Sequence, residues 1–173
     1  FRNEGMDRNH NPEFTMLEFY WAYADFEDNM NLVEDMIRSV ATNVDALQIK
    51  WGDMDIDLSK LFERRPILDL LKEATGEDLT EASVGKMKEV CIAHHIDVEA
   101  NANYGQMLDG LMSELVEPKL IQPTFITDYP KAISPLAKKH RNGNPHLVER
   151  FELFIGGAEF ANAFTELNDP IDQ

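Results

Sequence analysis

Phe1-Arg2-Asn3-Glu4-Gly5, a polar loop, then His10-Asn11-Pro12-Glu13-Phe14-Thr15 and Leu17-Glu18-Phe19-Tyr20 form the stretch on which the fold turns. Arg2 and Glu4 are two apart, so on a strand they share a face. The loop from Gly5 to Pro12 carries a basic residue and a histidine. From Phe14 to Tyr23, the odd positions Leu17, Phe19, Trp21 and Tyr23 are apolar or aromatic. The even positions Phe14, Met16, Glu18 and Tyr20 mix aromatic with charged. Period-2 alternation predicts a strand with one face on a helix and the other holding a carboxylate beside two aromatics. An arginine, a loop histidine and an aromatic suit a nucleotide. The guanidinium takes a phosphate in bidentate fashion, and a ring stacks on a base for ~1–3 kcal/mol. Considered one by one, the same residues read more readily as a surface hairpin with an Arg–Glu ion pair and a buried phenylalanine.

Outward from this stretch, residues 24–58 predict a helix and a hairpin, 59–118 are mostly helical, and 119–173 return to strands. Asp25, with Asp28 at the third helical position, caps the first helix. Met30, Val33, Met36, Ile37, Val40, Ala41 and Val44 follow at helical spacing. Leu47 to Leu58 predicts a hairpin turning near Trp51-Gly52-Asp53. Pro66 opens and Gly76 closes a short helix. Thr80 is the expected cap of a helix through Cys91, and another runs from Tyr104 to Glu117. Leu120 to Thr127 is β-prone, with Pro123 suggesting an edge or bulge. Arg150–Ile155 and Glu159–Leu167 predict strands joined at Gly156-Gly157. Met36, Met87, Met107, Met112 and Cys91 read as core. His94 and His95 suit a helix end, with no further ligands at zinc spacing.

The 173 residues hold 32 acids against 16 bases, a net charge of −16. Such a surface repels a phosphate backbone, so this chain alone is not expected to bind nucleic acid tightly. No apolar run approaches ~18 residues, so no membrane span is expected. The single cysteine excludes an internal disulfide framework and fits a reducing compartment. The chain opens directly on a dense polar motif and reads as a piece of a longer protein.

The ordered string changes the reading of its residues. Phe-Arg-Asn-Glu-Gly, His-Asn-Pro-Glu-Phe-Thr and Leu-Glu-Phe-Tyr together resemble motif 2 of the class II aminoacyl-tRNA synthetases, in detail that of the lysyl member of the lysine, aspartate and asparagine subgroup. Glu117 to Ile126, Tyr129-Pro130 with Ser134-Pro135-Leu136-Ala137, and Arg150 to Gly157 followed by Glu159, Asn162 and Phe164 to Asp169 are similar to later blocks of that family. The resemblance is weakest from about Asp45 to Asn103. It implies an α+β fold, the class II synthetase catalytic core: an antiparallel β-sheet flanked by helices, with a helical insertion over about 60–117. It also implies that residues 1–173 are part of the catalytic domain, without the anticodon-binding OB domain, motif 1 or motif 3.

The resemblance further implies roles. Arg2 matches the catalytic arginine that contacts the ATP α-phosphate and the amino-acid carboxylate. Glu4 matches the acid beside the adenine amino group, His10 the loop histidine near the γ-phosphate, and Phe14 the aromatic under adenine. Glu152 and Glu159 match two acids that bind Mg²⁺ on the ATP phosphates. Asn162 matches a polar residue near the substrate carboxylate. Glu18, Tyr20, Phe164 and Glu166 match the pocket for the lysine side chain. The implied reaction is ATP-dependent formation of lysyl-adenylate and transfer to tRNA(Lys), by a cytoplasmic parent enzyme that is a homodimer, the isolated piece being inactive. A relative that lysylates a protein acceptor, and a non-catalytic interaction module, are the alternatives.

The chemistry asks for these residue types. Both reactants are anions, so catalysis is mainly positioning and charge neutralisation. A buried ammonium needs compensation, which Glu18 and Glu166 supply while repelling aspartate. In a plain strand Asn162, Phe164 and Glu166 share a face and Glu159 points away. All four serve the site, so a bulge between Glu159 and Asn162, at Ala161, is expected. Lys138, Lys139 and Arg141 read as a solvated loop, with contact to a tRNA acceptor end as the weaker alternative.

Overall fold

A computed structural model describes every residue except Glu4, Asp7, Arg8, Asn9 and Ala100. Four strands form the central sheet in the order β3-β4-β5-β6: β3 Glu63–Pro66, β4 Thr124–Thr127, β5 Arg150–Ile155 and β6 Ala158–Phe164. β4–β5 and β5–β6 pair antiparallel, whereas β3 joins β4 in parallel. The α+β class and the antiparallel core stand, with this one parallel edge added. The helical stretch therefore starts at Ile67 and not near 60, because Glu63–Pro66 is committed to the sheet.

All four residues of β4 are buried, as befits a strand covered on both faces. On one face Phe125, Phe151, Leu153 and Ile155 pack against helix α1 (Phe26–Asn43) through Phe26, Met30, Val33 and Ala41. The β1–β2 hairpin (Gln48–Trp51, Met54–Asp57) adds Ile56 to this core. On the other face Ile126 and Phe154 pack against α2 (Ile67–Thr75), α3 (Val84–Ala93) and α4 (Tyr104–Leu111). The sheet is thus the middle of three layers, and Leu108, Asp109 and Met112 of the helical layer face Arg150 and Glu152 of β5 across a cavity.

Local signals explain most element ends. Asp25 and Asp28 form a reciprocal capping box on α1. Gly76 closes α2 in the left-handed region. Thr80 does not cap α3: its amide and hydroxyl are both bound to Asp78 Oδ1, and Ser83 caps instead, accepting from the Lys86 amide. The Tyr104–Glu117 helix is α-helical only to Leu111, then passes through a π turn (Met112–Val116) into a 3₁₀ turn (Glu117–Lys119). Pro123 precedes β4, which is central and not an edge. β6 ends at Phe164, short of Leu167. Met36, Val40 and Val44 lie on the exposed side of α1, while Met87, Met107, Met112 and Cys91 are buried.

The expected strand over Phe14–Tyr23 has no ladder. Phe14, Met16, Leu17, Phe19, Tyr20, Trp21 and Tyr23 are all exposed. Alternation marks which residues want burial, but a strand needs a neighbouring strand, and the described residues offer none here.

Candidate active site

The hairpin β5–β6 builds the floor of the site. Its turn, Gly156-Gly157, has both residues at positive φ, 61° and 77°, the two-residue geometry that matches strand twist. From there Ile155 pairs with Ala158 and Phe154 with Glu159, but Leu153 pairs with Ala161. Phe160 is the extra residue, so the expected bulge is present, one position before Ala161. Beyond it Glu152 faces Asn162 and Arg150 faces Phe164. Directly opposed residues share a face, so Glu152, Glu159, Asn162 and Phe164 all lie on one side. Phe160 turns outward to meet Trp51 edge-on, ring centroids 6.1 Å apart.

Two groups hold Glu152. The Tyr129 hydroxyl donates to Oε2 at 2.8 Å, and Arg150 Nη2 donates to Oε1. Each oxygen keeps a lone pair for another partner. Arg150 also donates through Nη1 to Ser134 Oγ at 2.7 Å and through Nε to Asn162 Oδ1 at 3.3 Å. A cavity of about 320 Å³ opens beside this group, lined by Asp109, Glu117, Tyr129, Arg150 and Glu152 among others.

Glu117 and Glu159 are both held above the ordinary carboxylate range. Burial, then Glu152, Asp109 and Glu159, push Glu117 up to about 7. Partial loss of water, then the Glu152 charge, also push Glu159 up although its side chain stays exposed, while the Arg150, Arg2 and His10 charges act on it in the opposite direction. Arg2 and His10 therefore sit within electrostatic reach of Glu159. Arg2 lies over the Phe14 ring, 5.8 Å from its centroid, and its amide donates to Pro12 O at 3.1 Å. Glu4 lies outside the described residues.

A second cluster gathers next to the first. The Tyr20 hydroxyl donates to Glu18 Oε1 at 3.1 Å, and the charges of Glu18 and Glu166 raise the Tyr20 pKa. Glu166 is placed by a bridge to Ala137, and the Lys138 amide donates to Thr165 O at 2.8 Å. Among the described residues no three of His, Cys, Asp and Glu are already gathered into a cation cage. Glu152 and Glu159 instead form a two-carboxylate set on one face. That donor set fits a hard divalent ion that keeps several waters and takes phosphate oxygens as its other ligands.

The sequence pattern of the class II tRNA synthetases (D, K and N) matches residues 1–173. The chain belongs to this family. It is 49% identical to the lysine–tRNA ligase of Saccharolobus solfataricus over 175 residues, covering all of this chain and 35% of that protein. A Staphylococcus aureus lysine–tRNA ligase is likewise 49% identical, with 35% of it covered. That of Thermosipho melanesiensis is 47% identical, with 34% covered. The chain spans about a third of the length of the curated relatives it matches.

Of the expected positions, the Arg2 and His10 charges act on Glu159, Arg2 lies over Phe14, Glu152 faces Asn162, the Tyr20 hydroxyl binds Glu18, and Phe164 lies on the strand face of Glu152. The residues missed by sequence reasoning are the ones beneath: Arg150, Tyr129, Ser134, Glu117 and Asp109. Glu117, Tyr129, Ser134 and Arg150 fall within the strings that resemble the family, and Asp109 does not, but none carries a spacing that marks its role. Only the coordinates tie them to Glu152.

Two of the three residues of the basic cluster are paired with acids. Arg141 forms a bidentate pair with Glu149, 2.7 and 3.0 Å, and reaches Asp25 at 2.8 Å. Lys139 pairs with Asp172 at 3.1 Å. No helix among the described residues is long and apolar enough to cross a membrane.

Proposed function

We propose that the protein carrying this chain is a cytoplasmic, class II lysine–tRNA ligase, which activates lysine with ATP and transfers it to tRNA. The reading rests above all on the likeness of the whole chain to lysine–tRNA ligases, 49% identical in two of them; Glu18, hydrogen-bonded by the Tyr20 hydroxyl, and Glu166, whose charge also acts on that hydroxyl, agree with it. Two carboxylates and a phenol attract an ammonium and repel an acidic side chain.

Arg2 takes the α-phosphate and the substrate carboxylate, orienting two anions for in-line attack. Phe14 supports the adenine by stacking, Glu4 meets its amino group, and His10 meets the γ-phosphate. Asn162 donates to the lysine carboxylate, and Phe164 walls the aliphatic stem. Glu152 and Glu159 would hold Mg²⁺, which supplies charge neutralisation on the ATP phosphates when bound. No general base is needed, because a carboxylate is already the nucleophile.

The test is amino-acid-dependent ATP–pyrophosphate exchange by the full-length protein, followed by aminoacylation of tRNA. Lysine should drive exchange and aspartate or asparagine should not. Exchange driven by aspartate would overturn the substrate; lysine exchange without tRNA charging would favour a protein acceptor. The 173-residue chain alone should show no exchange.

A further inference from the structure

Arg150 belongs to β5, one residue before Phe151 and two before Glu152, and its side chain is 18% exposed. Its guanidinium makes four hydrogen bonds. Nη1 donates to Ser134 Oγ at 2.7 Å and to Ile133 O at 3.3 Å; Nη2 donates to Glu152; Nε donates to Asn162 Oδ1 at 3.3 Å. The Tyr129 ring lies under the guanidinium, 4.7 Å from its centroid to Cζ. Ser134 and Tyr129 are themselves buried. The group is thus clamped from below and on both sides.

A guanidinium has donors only. Facing Arg150 Nε, Asn162 can offer nothing but Oδ1, so its Nδ2 hydrogens are turned away from the arginine. We infer that Arg150 is a positioning residue that selects the orientation of the Asn162 amide, leaving its NH₂ to donate to the carboxylate of the amino-acid substrate. Without Arg150 the amide is free to flip and present its oxygen to that carboxylate, an acceptor against an acceptor. The same guanidinium fixes Glu152, so the amino-acid side and the nucleotide side of the site are held in one register. This inference rests on the ligase reading above.

The test is lysine binding by calorimetry, without ATP or metal, on full-length protein carrying Arg150→Lys, Asn162→Ala or both. A lysine at 150 keeps the charge but loses the planar fork. Each single change should weaken lysine binding by roughly ten- to a hundredfold, the range of a lost hydrogen bond to a charged group. The double variant should be no weaker than Asn162→Ala alone, because Arg150 acts through Asn162. Losses that multiply, or an Arg150→Lys variant with wild-type affinity, overturn the inference. Asn162→Asp gives a second measurement should Arg150→Lys fail to fold. It still accepts from Arg150 but has no NH₂, and should lose affinity as Asn162→Ala does while its melting temperature is kept; wild-type affinity there also overturns the inference. Wild-type protein that binds no lysine overturns the ligase reading and this inference together, whereas wild-type binding with multiplying losses overturns only the inference.

Discussion

Two glutamates near the sheet respond to pH in opposite senses, and the difference is decided by their neighbours. Glu117 has burial and three carboxylates around it, which raise it to about 7. An acid held above its unfolded value binds its proton more tightly in the folded state, so it costs stability as pH rises from about 4.5, levelling off above about 7. Glu117→Gln should therefore stabilise the metal-free protein by about 1–3 kcal/mol at pH 8, an advantage that shrinks towards nothing near pH 4 in urea unfolding. Glu149 is 3% exposed. Burial pushes its carboxyl up, but the Arg141 fork and the Thr165 hydroxyl bring it below the usual range. Its contribution is present above the unfolded carboxylate range and lost as pH falls through its lowered folded value. Arg141→Ala leaves this carboxylate buried without its fork, and should cost about 2–3 kcal/mol at pH 7, less than a fully buried pair because Arg141 is half exposed. At this scale the sequence was readable where a residue carries its own signal, as Asp25 does with Asp28 three positions on. It was silent on Arg150, whose importance lies in contacts to Ser134, Glu152 and Asn162 that no spacing announces.

Among the elements, the β5–β6 hairpin is the one whose geometry the chemistry demands. Its turn tolerates little. A Cβ on Gly156 would lie 2.9 Å from Trp51 Cε3, at a φ of +61°. Gly143 has a φ of +86° but open space around it. Gly143→Ala should cost about 1 kcal/mol for the left-handed backbone alone. Gly156→Ala should cost about 2–4 kcal/mol, since the displaced indole adds to that; equal melting temperatures for the two variants would refute the steric part. The bulge was foreseeable because Glu159 and Asn162 had to share a face, a requirement of function imposed on period-2 alternation. Its position at Phe160 was not, since that depends on the Trp51 ring waiting across the hairpin. β3 was missed for a related reason: Glu63-Arg64-Arg65-Pro66 carries no alternation, and becomes a strand only because β4 lies beside it. Thr80 and Ser83 are equally good caps in isolation, and Asp78 settles the choice by engaging Thr80.

For the molecule as a whole, the excess of acids is left standing, because Arg141, Lys131 and Lys139 are spent on Glu149, Asp25 and Asp172. This 173-residue chain should not retard tRNA in a gel at ~10 μM and physiological salt. A shifted band that fades with added salt would show a cationic face that the described residues do not form. A sheet flanked by helices was legible in outline from the resemblance, with β4, β5 and β6 falling within the later strings and helices over the middle. Which helices covered which end of the sheet was not, since that depends on β3 joining from the far side. That parallel edge also sets a clock. β3 leaves the ribosome before α2, α3 and α4, and its partner β4 follows about 60 residues later, roughly 3–12 s at ordinary rates of synthesis. During that interval Glu63–Pro66 has no sheet to enter, and its charged side chains keep the waiting edge from recruiting a strand of another chain. The polarity that hid this strand from sequence reading is then the property that lets the nascent protein wait for its partner without aggregating.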